Sequence, residues 1–149
     1  MKSIYNRTDN QEMVSRINKL TPDTKANWGK MTVSQMLAHC GKPIEAGFGS
    51  LKLKRGLMGI LFGKMAKKSM LSDKPFKQGL PTDKHFIIKD NLNFDEEKNK
   101  LVGLISKIAE TGPDGISKEP HPFFGPLTTE EWDALTWKHL DHHLRQFGA

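Results

Sequence analysis

The sequence predicts an all-α chain: a four-helix bundle with a long, partly helical connection between its second and third helices. Three observations lead there. Four segments carry apolar residues at the three-to-four-residue spacing of a helix face. Three of these open on a Thr followed three residues later by Gln or Glu, the capping-box pattern. No stretch of useful length alternates apolar and polar residues as a half-buried strand does.

The first box, Thr8 to Gln11, leads into Met13, Ile17 and Leu20 and predicts a helix over 9–20, stopped by Thr21-Pro22. The second, Thr32 to Gln35 with Met31 and Met36 in the staple positions, predicts 33–47. Pro43 removes a hydrogen bond to the carbonyl of residue 39, which predicts a kink that re-aims His39, eased by Gly41. Asn93, followed by Asp95, Glu96 and Glu97, opens a helix over 94–110 whose stripe is Phe94, Leu101, Leu104, Ile105 and Ile108. The third box, Thr128 to Glu131 with Leu127 and Trp132 as staple, predicts 129–147.

The connection over 49–92 is too long for a plain loop. It predicts a short helix over 57–68 crossing one end of the bundle and an extended piece at 85–88. At 149 residues, with 36% apolar and 27% charged residues, the chain has the size and balance of a single domain over 1–149. Cys40 is its only cysteine, so no internal disulfide is available and a reducing cytoplasm is the expected compartment. MKSIYNRTDNQEM has no apolar core of a secretory leader, and the longest apolar run, GLMGILFG, is too short to span a bilayer.

The net charge of +6 is unevenly placed: residues 51–77 hold eight Lys/Arg against Asp73, a local +7, and the remainder sums to −1. Such a segment fits an anionic membrane or phosphate surface. Against that stand Gly56, Gly59 and Gly63, which weaken the helix, and aromatics too sparse for base stacking. The expectation is therefore a solvated lid whose apolar side covers the bundle end, with neither nucleic acid nor membrane as partner.

Three of the six histidines crowd TWKHLDHHLRQFG. On a helical wheel with His139 at 0°, His143 falls near about 40°, inside the arc of Trp132, Leu140 and Phe147. The His139-x-x-x-His143 spacing lets two ring nitrogens converge on one ion. His142 falls at the arc's edge, Gln146 lies one turn beyond the pair, and Asp141 is on the solvated side. A third ligand must come from another helix. Cys40 sits at the centre of the second helix's apolar arc and His39 on its flank, so the wheel leaves both open. A buried Cys40 also reads simply as a small core residue. His85 and His121 lie in loops and are expected exposed and structural.

WGKMTVSQMLAHC, HPFFGPLTTEEW and KHLDHHLRQFG together resemble the DinB-like, or YfiT-like, superfamily, and within it a small bacterial branch of unknown function. The resemblance covers nearly the whole chain, is strong in the second and fourth helices, and is weak over 51–91. It implies a four-helix bundle binding one divalent metal through three histidines, here His39, His139 and His143. For such an all-nitrogen site zinc is the first expectation, with nickel, iron or manganese as alternatives. The chemistry implied is that of a thiol transferase or hydrolase acting on a small-molecule substrate, with a low-molecular-weight thiol as co-substrate. Gln146 and His142 become candidates for substrate contact or ligand support, and a homodimer is an admissible assembly. No carboxylate stands out as a general base. The alternative is a non-catalytic bundle whose segment 51–77 binds an anionic membrane or nucleic acid.

Overall fold

The computed structural model describes residues 2–116 and 119–149. Five α-helices and two 3-10 turns make up the described residues, with no named strand: α1 (Arg7–Asn18), α2 (Val33–Gly47), α3 (Leu57–Met70), α4 (Phe94–Thr111) and α5 (Thr129–Gln146), plus turns at Lys84–Phe86 and Gly112–Gly115.

Local chemistry sets most boundaries. Thr32 and Thr128 both close full capping boxes, with the Thr hydroxyl accepting from the backbone of Gln35 or Glu131 and that side chain accepting from the Thr N–H. Asn93 accepts from the backbone N–H of Glu96 at 3.0 Å and starts α4 as expected. The first helix departs from expectation. Asn6, not Thr8, is the cap: its Oδ1 accepts from the N–H groups of Thr8 and Asp9 at 2.9 and 3.2 Å. Asn caps at least as well as Thr, and it captures two orphan donors, which places Thr8 inside the first turn. The helix therefore starts two residues earlier, and it ends at Asn18. Residues 84–86 form a 3-10 turn capped by Asp83 instead of an extended piece, because the Asp83 carboxylate accepts from the His85 N–H at 2.9 Å. Across Pro43, α2 runs unbroken to Gly47.

Helices α2 and α1 each pack on both α4 and α5, so the four enclose one apolar core. Met13 and Ile17 of α1, Met36 and Leu37 of α2, Ile105 of α4 and Leu140 of α5 are fully or almost fully buried in it. Buried Asn10 is satisfied within that core: its Nδ2 donates to Ile4 O at 2.9 Å and to Ile105 O at 2.8 Å, which fastens α1 to α4. Asp141 is not on a solvated face. It accepts from Arg16 at 2.8 Å and Arg145 at 2.9 Å, joining α1 to α5.

Helix α3 lies on the outside, and in the opposite sense to the expected lid. Its buried residues are Gly59 and Gly63, while Leu57, Met58, Ile60, Leu61 and Met65 face solvent. The two glycines let its backbone approach residues 122–123: a Cβ on Gly63 would fall 2.1 Å from Phe123 O. Lys67 anchors it further, donating to Glu131 and to Pro126 O. At the far end, Lys138 Nζ of α5 donates to the carbonyls of Met70, Ser72 and Lys74 at 2.6, 2.6 and 2.8 Å. The positive charge meets the negative end of the α3 dipole.

Two outcomes follow from these contacts. Thr128→Ala should cost about 1 kcal/mol in a urea melt, and an unchanged midpoint would mean that the Thr128 cap carries no stability. Gly63→Ala should free α3 from residues 122–123 and make its bonds protease-sensitive while the urea midpoint of the core moves little; unchanged cleavage would refute the glycine contact.

Candidate metal centre

Three histidines meet where α2 and α5 face each other. His39, His139 and His143 each offer a ligand atom, and these atoms all lie within 4.8 Å of one another. His39 and His143 are buried and His139 is half-buried. Their ring centroids stand 4.7–4.9 Å apart. His39 Nε2 and His139 Nε2 approach to 3.0 Å, near the spacing of about 3.3 Å that two nitrogens take on a tetrahedral ion at about 2.0–2.1 Å.

The outer bonds decide which nitrogen each ring presents. Phe86 O can only accept, so His39 Nδ1, 2.8 Å away, must donate to it. In the neutral ring this leaves the His39 Nε2 lone pair facing the cluster. The same logic runs through Gln146. Its Nε2 donates to Trp28 O at 2.7 Å, which fixes the carboxamide and turns Oε1 toward His143. His143 Nδ1, 2.8 Å from that oxygen, must therefore donate, and its Nε2 keeps the free lone pair. A ligand histidine ordinarily gives its second N–H to a carbonyl or amide in this way.

The backbone around Trp28 is shaped for the contact. Gly29 takes φ +83°, and a Cβ there would sit 2.6 Å from Gln146 Nε2. The Asn27 N–H donates to Gln146 O at 2.8 Å, so the 27–29 segment is docked onto the end of α5.

Burial holds these imidazoles neutral. Desolvation is the main cause throughout. It pushes His143 down to about 3, helped by His39 and opposed by the Gln146 bond. His139 is lowered well below the ordinary histidine value, by burial and then by His143, His39 and its other histidine neighbours. His39 is lowered by burial, against the Phe86 bond.

The remaining candidates separate cleanly. His142 stays outside the trio, half-buried against Trp28 and Phe76. It borders a hollow of about 220 Å³ shared with Lys138 and Arg145. A larger groove of about 430 Å³ along residues 22–33 contains no histidine. Cys40 is a core residue, with its thiol 3.7 Å from the Met36 sulfur. His85 is exposed as expected and pairs with Asp83 at 2.6 Å. His121 corrects the expectation of an exposed loop residue. It is 5% exposed, because its Nδ1 accepts from the N–H groups of Phe123 and Phe124 and its ring packs against Phe124 and Trp132. That role ties up its Nδ1 lone pair, and burial lowers it to about 4.

Reasoning from the sequence flagged Gln146 but missed the two carbonyls, Phe86 O and Trp28 O. The only traces were a short Asp83-x-His85 turn signal and the Gly after Trp28.

The chain belongs to a family described as a protein of unknown function, DUF1569, whose model matches residues 3–149. No curated protein matches it. No solved structure matches it either.

The metal-free protein should lose stability as pH falls. The folded values are depressed, so the unfolded state takes up protons first. The contribution is whole above about 6.5 and drains as pH falls from there toward the folded values, by at most about 1.4 kcal/mol per pH unit per histidine. Urea midpoints at pH 7.5 and 5 should differ, and His143→Gln should shrink the difference. Equal wild-type midpoints would show that the imidazoles are not buried neutral.

Proposed function

We propose that this chain is a DinB-like metal-dependent protein, a single four-helix-bundle domain over 1–149 in which His39, His139 and His143 hold one divalent ion. The observation that carries the reading is the matched pair of outer hydrogen bonds. His39 to Phe86 O and His143 to Gln146 leave Nε2 of each ring as the unprotonated nitrogen, in a cluster whose three ligand atoms lie within 4.8 Å and where His39 Nε2 already meets His139 Nε2 at 3.0 Å. The all-nitrogen donor set favours zinc, with nickel, iron or manganese compatible.

A divalent ion held by His39, His139 and His143 would supply Lewis acidity, lowering the pKa of a bound water or thiol toward neutrality. The protein's part is to keep the three rings deprotonated by burial, and to hold two of them in one tautomer. A role for His142 in contacting substrate is supported by its place in the hollow with Trp28 and Phe76 and by its ring lying 5.0 Å from that of His143. In the same hollow Arg145 pairs with Asp141 and Lys138 is held by three carbonyls, so its lining is polar without a strong charge bias, and a small-molecule substrate with a low-molecular-weight thiol as co-substrate is compatible with it. The reaction class we infer is thiol transfer or hydrolysis, in a cytoplasmic setting. No helix of the described residues is long and apolar enough to cross a membrane.

The test is a zinc titration of protein purified without a nickel column. His39→Ala, His139→Ala and His143→Ala should each abolish stoichiometric binding, whereas His142→Ala and Cys40→Ala should retain it. Gln146→Ala should weaken binding about 10- to 100-fold, as loss of a ligand's outer hydrogen bond does. Wild-type affinity in His139→Ala would remove the metal site from consideration.

A further inference from the structure

Helix α3 turns its apolar residues the wrong way for a core helix. Leu57 is 70% exposed, Met65 68% and Leu61 63%, with Met58 and Ile60 nearly as open. On the wheel Leu57, Leu61, Met65 and Met58 occupy one arc about 100° wide, opposite the packed side of Gly59 and Gly63. Lys64 and Lys68 fall within or beside that same arc and are exposed. Lys52 and Lys54 precede the helix and Lys74 and Lys77 follow it, also exposed, with Asp73 the only acid of the segment.

We propose that this outer face of α3 docks on an anionic lipid surface. The geometry is that of a helix lying in a membrane interface. An apolar strip from Leu57 to Met65, about 12 Å long, enters the acyl boundary, and the lysines within, beside and beyond its arc meet the headgroups. Long lysine stems reach outward while their ammonium groups stay with the phosphates. The small-residue side is already committed to residues 122–123, and Lys67 and Lys138 secure the helix to α5, so the face is presented by a fixed support. Charge selects among occupants. A second copy would set one +7 segment against another. A nucleic acid would satisfy the lysines but leave Leu57, Leu61 and Met65 against water or phosphate. An anionic bilayer satisfies both halves of the pattern.

The proposal is independent of the histidine cluster. It is tested by co-sedimentation of the full chain with phosphatidylcholine vesicles, with or without a quarter phosphatidylglycerol, at about 0.1 and about 0.5 M salt. The protein should partition onto the phosphatidylglycerol vesicles at least tenfold more than onto pure phosphatidylcholine, and salt should reverse most of that gain. The triple variant Leu57→Ser, Leu61→Ser, Met65→Ser and the double variant Lys64→Glu, Lys68→Glu should each lower partition at least tenfold. All these positions are exposed, so circular dichroism and the urea midpoint should stay as in wild type. His139→Ala should sediment with vesicles as wild type does. Absence of partition, or equal partition onto both vesicle types, overturns the proposal. So does a duplex oligonucleotide bound equally by wild type and the triple-serine variant while vesicles are ignored. A concentration-dependent dimer that Leu61→Ser dissolves, again with vesicles ignored, assigns the face to a second copy and overturns it too.

Discussion

Gln146 donates to Trp28 O across 2.7 Å, and the direction of its whole carboxamide follows from that bond. An amide side chain can present either nitrogen or oxygen to a neighbour. With Nε2 committed to a carbonyl, only Oε1 is left for His143, which then has only one tautomer that avoids an unsatisfied buried atom. Gly29 is part of the same constraint, because a side chain there would occupy the volume of the amide nitrogen. The Gln146 side chain thus ties one imidazole to the segment before α2, which the Asn27 N–H also docks onto the end of α5. His39 is held by a parallel device on the other side, through Phe86 O. The 3-10 turn at 84–86 acquires a purpose from this: it brings a backbone carbonyl to a ring that lies 47 residues away in sequence.

The parts of this arrangement that the sequence displays are those that depend on neighbours within a turn or two. Thr32 with Gln35, and Thr128 with Glu131, each carry their own explanation, and α2 and α5 begin where those pairs say. The convergence of His139 and His143 is a matter of spacing on one helix. The choice between His39 and Cys40 is of another kind, since Cys40 lies at the centre of the apolar arc and His39 on its flank, and only the position of α5 separates them. The carbonyls of Trp28 and Phe86 leave no mark in side-chain chemistry at all, because every residue has a carbonyl. His121 shows the same limit. Its place in a loop argued for exposure, yet two N–H groups of the following residues fold back onto its Nδ1 and draw it inside.

Helix α3 illustrates a different difficulty. Its glycines argue against a helix by propensity, and its leucines and methionines argue for burial. In the folded chain the glycines are what packs, since close backbone approach to residues 122–123 needs the absence of side chains. Reading apolar residues as the inner face inverted the helix. A stripe of small residues competes with a stripe of large ones for the inward position, and which prevails is set by the surface it meets.

Lys138 gives α3 a second consequence. Its ammonium holds three carbonyls at and beyond the end of that helix, and the next residue along α5 is His139. The two helices therefore share a joint one residue from the histidine trio. A load applied to the outer helix is shared between these three charge-assisted bonds, the Lys67 bonds and the glycine contact, and the first of these lead into the backbone that carries the imidazoles. The joint makes the end of α3 a fixed hinge point on α5, set beside a ring that burial holds well below the ordinary histidine value.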